Sequence, residues 1–181
     1  MAGSYGGRRL AVPTGDRTRP TTDRVREALF SSLEAMMDFD GARVLDGFAG
    51  SGGLGLEALS RGAASATLIE ADPKVLTILR GNVALLGAPA EVIPGKVETV
   101  LAARTPTSPY DLVFLDPPYG IEEDVLAAVL TALGTNGWLS DDPIVVVERG
   151  RRCAEPPWPT GMETMRSKRY GETTLWYGRR S

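Results

Sequence analysis

Apolar residues change their spacing along this chain in a regular way, and the spacing predicts its elements. Val25, Leu29, Phe30, Leu33 and Met37 recur every three or four positions. They predict a helix opened by the capping chemistry of Thr21-Thr22-Asp23 and closed near Gly41. From there short apolar runs alternate with helical patterns. Residues 43–48, 66–71, 90–94, 111–115 and 143–148 read as strands. Residues 54–61, 73–86, 97–103 and 122–133 read as helices, the second with proline at its first turn. A strand–helix rhythm of this kind predicts a parallel sheet with helices on both faces. The ending breaks the rhythm: residues 163–170 and 172–177 alternate polar with apolar around Gly171, the signature of an antiparallel hairpin. Residues 1–20 and Glu155-Pro156-Pro157-Trp158-Pro159 show neither period and are expected to be loose.

Composition narrows the chemistry. A chain of 181 residues suits one domain, and no apolar run approaches the ~20 residues of a membrane span. The opening is rich in glycine and arginine rather than apolar residues, so a cytoplasmic protein is expected. There is no histidine, which excludes histidine triads and bases, and metal ligation is not expected. The single cysteine, Cys153, excludes an intrachain disulfide and has no activating motif beside it. Charge is unevenly spread. Residues 1–26 hold six arginines against two aspartates, and residues 149–181 hold eight basic residues against three glutamates. The acidic excess therefore lies in the body, and basic ends on an acidic body suit a docked polyanion as well as two solvated termini.

Two motifs carry candidate chemistry. The first strand runs into Asp46-Gly47-Phe48-Ala49-Gly50-Ser51-Gly52-Gly53-Leu54-Gly55, and a helix follows. Gly50, Gly52 and Gly55 give a G-x-G-x-x-G spacing in the strand–turn–helix context it requires. Such glycines let the backbone turn tightly and approach a ligand. Glu70 follows about twenty residues later at a strand end, where a carboxylate can accept both ribose hydroxyls. A dinucleotide and S-adenosyl-L-methionine both satisfy this spacing. The phrase Asp46-x-Phe48-Ala49-Gly50-Ser51-Gly52 resembles the first motif of amino-methyltransferases and favours the second. No lysine follows the glycines in the manner of a phosphate loop.

The second motif, Asp116-Pro117-Pro118-Tyr119, ends the fourth strand. Ligands of open α/β sheets bind beyond the carboxyl ends of the strands, so Gly50 and Asp116 are expected to face one pocket. An exocyclic amino group on a base is a poor nucleophile because its lone pair is delocalised into the ring. The Asp116 carboxylate and the Pro117 carbonyl can accept its two N–H bonds and aim the lone pair. Prolines 117 and 118 hold that carbonyl still. Tyr119 offers a stacking face for an extruded base. A plain turn after a strand would also explain these four residues taken alone.

Together with Arg19-Pro20-Thr21-Thr22-Asp23-Arg24-Val25-Arg26-Glu27-Ala28-Leu29-Phe30 and Leu56-Glu57-Ala58-Leu59-Ser60-Arg61-Gly62-Ala63, these motifs resemble the RsmD family of bacterial 16S ribosomal RNA guanine-N2 methyltransferases. The resemblance covers nearly the whole chain, from about Gly6 to the final hairpin. It implies a Rossmann-like class I methyltransferase fold over residues 21–181: α/β, with a mostly parallel seven-stranded sheet and a C-terminal antiparallel hairpin, preceded by a basic extension over residues 1–20. It implies S-adenosylmethionine as cofactor, held by Thr21, Thr22, Asp46, Phe48, Ala49, Gly50, Gly52, Gly55, Glu70, Ala71 and Val97. Thr21 or Thr22 would lie by the methionine carboxylate, and Gly95-Lys96-Val97, where relatives often carry an aspartate, would meet adenine through backbone groups. Arg8, Arg9, Arg19, Arg24, Arg166, Lys168 and Arg169 would contact RNA phosphates. The expected partner is 16S rRNA in a partly assembled small subunit, methylated by a monomer. The family phrasing before Gly6 is shortened here, and Gly47 stands where a bulkier residue is usual. DNA amino-methylases share Asp-Pro-Pro-Tyr but usually need a recognition domain for which this chain has no room. Protein glutamine methyltransferases typically read Asn-Pro-Pro-Tyr, a dinucleotide oxidoreductase leaves Asp-Pro-Pro-Tyr unexplained, and a non-catalytic assembly factor has no need of intact motifs.

Overall fold

The computed structural model describes residues 1–14 and 20–181, the side chains of residues 20–22 excepted. Seven strands form one sheet: β1 (Arg43–Asp46), β2 (Ser65–Glu70), β3 (Ala90–Pro94), β4 (Tyr110–Leu115), β5 (Leu139–Gly150), β6 (Met162–Tyr170) and β7 (Thr173–Arg180). Their spatial order is β3-β2-β1-β4-β5-β7-β6. The first five are parallel, and β7 joins β5 and β6 antiparallel. This is the α/β fold the alternating pattern predicts, with the hairpin at one edge.

Strand alternation feeds two cores. Val44, Leu68, Leu112, Phe114, Val146, Leu175 and Tyr177 face one side, where α1 (Pro20–Glu34), α2 (Gly55–Ser60) and α3 (Pro73–Leu86) cover them. Leu45, Ile69, Val113, Leu115, Val145 and Val147 face the other, under α4 (Val97–Ala103) and α5 (Glu123–Thr135). Helix α3 follows its sequence signals closely. Asp72 caps it by accepting from the Lys74 and Val75 N–H groups, Pro73 occupies the first turn, and Gly87 closes it at φ 57°.

Several boundaries differ from the sequence expectation. Helix α1 begins at Pro20, so Thr21 and Thr22 lie in its first turn rather than capping it. It ends at Glu34 because the Leu33 carbonyl accepts both the Met36 and Met37 N–H groups, and Phe39 then turns back onto Phe30 at 5.9 Å. Strand β1 stops at Asp46, two residues early, where the glycine loop leaves the sheet. Strand β5 starts at Leu139, pairs with Tyr110, and shifts register before Leu112 meets Ile144.

Residues 1–14 and the proline-rich stretch are tied down, and residues 15–19 lie outside the described residues. Residues 3–5 form a short 3-10 turn on α2: the Ala2 N–H donates to Glu57 and the Tyr5 N–H to the Ser60 hydroxyl. Asn82 of α3 exchanges two hydrogen bonds, each 2.9 Å, with the backbone of Ala11. In the proline-rich stretch Pro156 is buried, and the Trp158 indole donates to Thr164 while its ring covers Gly178.

Candidate active site

The parallel strands end on one rim, and the two motifs meet there because β1 and β4 are hydrogen-bonded neighbours, Asp46 opposite Phe114. The loop after β1 is sewn to both adjacent strands. The Gly47 N–H donates to the Phe114 carbonyl and the Ala49 N–H to the Ile69 carbonyl, each at 2.9 Å. The Gly50 N–H donates to Glu70 at 2.9 Å, and the Gly55 N–H to Asp46 at 3.0 Å.

The glycines are needed for different reasons. Gly52 sits at φ 93°, and a Cβ there would lie 2.7 Å from the Leu56 side chain. A Cβ on Gly55 would lie 2.3 Å from Leu68. Gly50, at φ 55°, has nothing within 4 Å of its Cβ position, so the loop is packed beneath and open above. Gly47 is closed over: a Cβ would meet Leu115 at 2.8 Å and Val97 at 3.1 Å, side chains that fill the space a larger residue would occupy.

Around this loop the sequence-predicted cofactor residues take three kinds of place. Glu70 stands at the end of β2 with its carboxylate fixed by the Gly50 and Asp72 N–H groups, leaving roughly half its acceptor capacity. Phe48 is half-buried and Ala71 exposed on the rim. Ala49 and Val97 are buried, so their side chains wall the loop from below. The side chains of Thr21 and Thr22 lie outside the described residues.

Three carboxylates gather at this rim. Asp46 is buried, and its Oδ1 has no hydrogen-bond partner. Burial pushes its carboxyl up to about 7 against the pull of the Gly55 N–H. Asp116, just beyond β4, is raised to about 8 by desolvation and then by the negative charges of Glu148 and Asp46. Asp116 is exposed to solvent, which screens these charges in part. Glu148 near the end of β5 is also raised by burial, with the Thr173 hydroxyl favouring the ionised form.

Sequence reasoning did not assign Glu148 a role. Its signal is an acid at the end of an Ile-Val-Val-Val run, the same strand-end position that singled out Glu70 and Asp116. The backbone of Pro117 and Pro118 carries the chain from Asp116 to Tyr119, whose side chain is fully exposed beside Gly150. Among the described residues no cluster of acidic residues or Cys153 could hold a metal ion.

The basic residues divide. Arg8 and Arg9 line a cleft of about 620 Å³ beside the loop, with Asp23, Arg26, Ser51 and Gly53. Arg8 donates to the Leu85 carbonyl at 3.1 Å. Arg24 is exposed on α1, and Arg19 lies outside the described residues. On β6 the run 166–169 splits by strand alternation. Arg166 pairs with Tyr177 and Lys168 with Leu175, on the face that carries Val146 and Asp116. Arg169 pairs with Thr174, opposite Arg149, on the other face.

The chain is similar to known proteins over nearly its whole length. A protein-family model described as Conserved hypothetical protein 95 matches residues 1–179. Ribosomal RNA small subunit methyltransferase D of Escherichia coli (strain K12) is 42% identical over 173 residues, 95% of this chain and 84% of that protein. YlbH of Bacillus subtilis is 38% identical over 176 residues, 96% of this chain and 94% of that protein. The solved structure of yhhF from Escherichia coli superposes with a TM-score of 0.85 at 39% identity, covering 99% of this chain and 96% of that one.

Proposed function

The chain belongs to the RsmD family of ribosomal RNA small subunit methyltransferases, and from that premise we propose that it moves a methyl group from S-adenosylmethionine to the N2 amino group of one guanine in 16S rRNA. The observation that supports the reading is the pairing of β1 with β4, which puts the glycine loop and Asp116-Pro117-Pro118-Tyr119 at the ends of neighbouring strands.

The residues fit that cofactor. The space above Gly50 admits close approach to the backbone, Glu70 is fixed with acceptor capacity left for ribose hydroxyls, and Asp46 keeps a buried oxygen without a partner. A bound sulfonium and ammonium would also relieve the crowding of Asp46 and Asp116, since opposite charge favours the ionised carboxylate. S-adenosylmethionine supplies an already electrophilic methyl, so no strong base is required and orientation dominates.

The chain's own part is to hold the nucleophile. Ionised Asp116 and the Pro117 carbonyl accept the two N–H bonds of the amino group, leaving its lone pair free toward the cofactor. Tyr119 stacks on the extruded base. After transfer the nitrogen carries one proton too many, and Asp116 receives it on the way to water. The absence of histidine is no obstacle to this chemistry.

The substrate is the RNA of a partly assembled small subunit, the protein acts as a monomer in the cytoplasm, and no described helix is long and apolar enough to cross a membrane. The test is transfer of tritiated methyl from S-adenosylmethionine to small subunits lacking the modification, followed by nucleoside analysis. Label in N2-methylguanosine is expected. Asp116→Ala should bind cofactor by calorimetry and transfer no label. Label in another nucleoside, or none with cofactor bound, would reject the assignment.

A further inference from the structure

Asp-Pro-Pro-Tyr explains how an amino group is methylated, but it does not say whose. Guanine, adenine and cytosine all carry an exocyclic amino group that Asp116 and the Pro117 carbonyl can hold. They differ at the adjoining ring nitrogen. In guanine N1 bears a hydrogen and donates, whereas N1 of adenine and N3 of cytosine are bare acceptors. An acceptor held beside Asp116 would therefore distinguish guanine from the other two.

Glu148 stands in that position. The last register pair of β4 and β5 is Leu115 with Val147, so Asp116 and Glu148 come next, side by side on adjacent parallel strands. Leu115 and Val147 both face the α4–α5 core, so by alternation their successors project toward the opposite face, that of Asp46. Strands lie about 4.8 Å apart, a spacing that lets two carboxylates address one edge of a single base. Glu148 is only half-buried, so a ligand can reach it. The Thr173 hydroxyl, from the first residue of β7, lies near it and favours its ionised form, and its charged neighbour is Asp116.

We propose that Glu148 is the guanine-selecting residue: it accepts the N1–H of the target base while Asp116 and Pro117 hold the N2 amino group. The assignment rests on the guanine-N2 reading above. Adenine or cytosine in the same pose would turn a ring-nitrogen lone pair toward a carboxylate, with no proton between them. The hairpin acquires a purpose as well, because β7 brings the Thr173 hydroxyl to the end of β5, near the selecting carboxylate. Exposed Tyr119, beside Gly150 at the end of the same strand, lies where the face of that base would stack.

The test replaces the target guanosine by 2-aminopurine riboside in reconstituted small subunits. This analogue keeps the 2-amino group but has a bare acceptor at N1. The wild-type enzyme should prefer guanine in kcat/KM by roughly ten- to a hundredfold, the value of a hydrogen bond to a charged group. Glu148→Gln, whose amide can donate to a bare nitrogen as readily as it accepts, should bring the ratio toward one. Both rates come from one preparation, so partial unfolding cannot mimic the result. Thr173→Val, which removes the hydroxyl that favours the ionised carboxylate, should narrow the ratio by less.

A wild-type enzyme that uses both bases equally, or a ratio unchanged in Glu148→Gln, would overturn the assignment. Should the glutamine variant be inactive on both RNAs, an unchanged ratio in Thr173→Val would overturn it. Failure of the underlying guanine-N2 reading looks different: the wild-type enzyme then labels neither RNA at this position, and the selection inference falls with it.

Discussion

Asp46, proposed above to face the cofactor, illustrates how such a residue burdens the ligand-free fold. It is 1% exposed and holds the Gly55 N–H, and burial, with the nearby Glu70 charge, favours its neutral form up to about pH 7. An unfolded aspartate ionises near pH 4. Between those values the folded chain binds the proton and the unfolded chain has lost it, so stability falls as pH rises and levels off above about 7. Asp46→Asn should remove that slope. In ligand-free protein at pH 8 its melting temperature should exceed that of the wild type, and the gap should close toward pH 4. A variant less stable at both pH values would mean that the carboxylate's hydrogen bonds outweigh its desolvation. Asp46, Asp116 and Glu70 were legible in the sequence because each ends a strand next to a turn motif. Glu148 ends an apolar run too, but Arg149 and Gly150 continue the ladder instead of a turn, so its position beside Asp116 depends on a pairing register that periodicity does not encode.

At the scale of elements, the glycine loop stays in place because the helices behind it are pinned together by one side chain. Arg61, just past α2, is buried at its guanidinium and pairs with Glu57 of its own helix and with Glu27 and Glu34 of α1, while lying 4.9 Å over the Phe30 ring. Glu57 is itself 2% exposed and also accepts the Ala2 N–H, so the amino-terminal segment joins the same cluster. Removing the arginine would leave Glu57 buried without its cation, a loss of about 3–5 kcal/mol. Arg61→Ala should therefore show a markedly lower denaturation midpoint with an unchanged m-value, whereas Arg24→Ala, exposed on α1, should shift it little. Equal effects would remove Arg61 from this role. The helices themselves were legible from apolar spacing, but this junction was not. Nor was the docking of residues 1–14, since it uses backbone groups meeting Glu57, Ser60 and Asn82, which leave no periodic trace.

At the scale of the molecule, the charge asymmetry of the sequence becomes a question of faces. A sheet edge closed by an antiparallel hairpin turns a contiguous basic run into two opposed sets. The tip of the β6–β7 hairpin lies level with Gly150, because Thr173 pairs with both Gly150 and Tyr170, so residues near it flank the rim that carries Asp116. Lys168 is exposed there, its ammonium 5.2 Å from the Tyr170 ring centroid, on the side of Asp116. Arg169 is equally exposed and carries the same charge, yet projects from the reverse face. An RNA strand leading to the crevice would pass Lys168 and miss Arg169. Charge reversal separates the two contributions, since both are surface residues whose replacement should leave the fold intact. Lys168→Glu should raise the KM for small subunits with little change in kcat and reduce the slope of log affinity against log salt by about one. Arg169→Glu should leave both near the wild-type values. Equal losses in the two variants would mean that net charge draws the RNA in without regard to face, and a loss confined to Arg169→Glu would put the RNA path on the opposite side of the sheet.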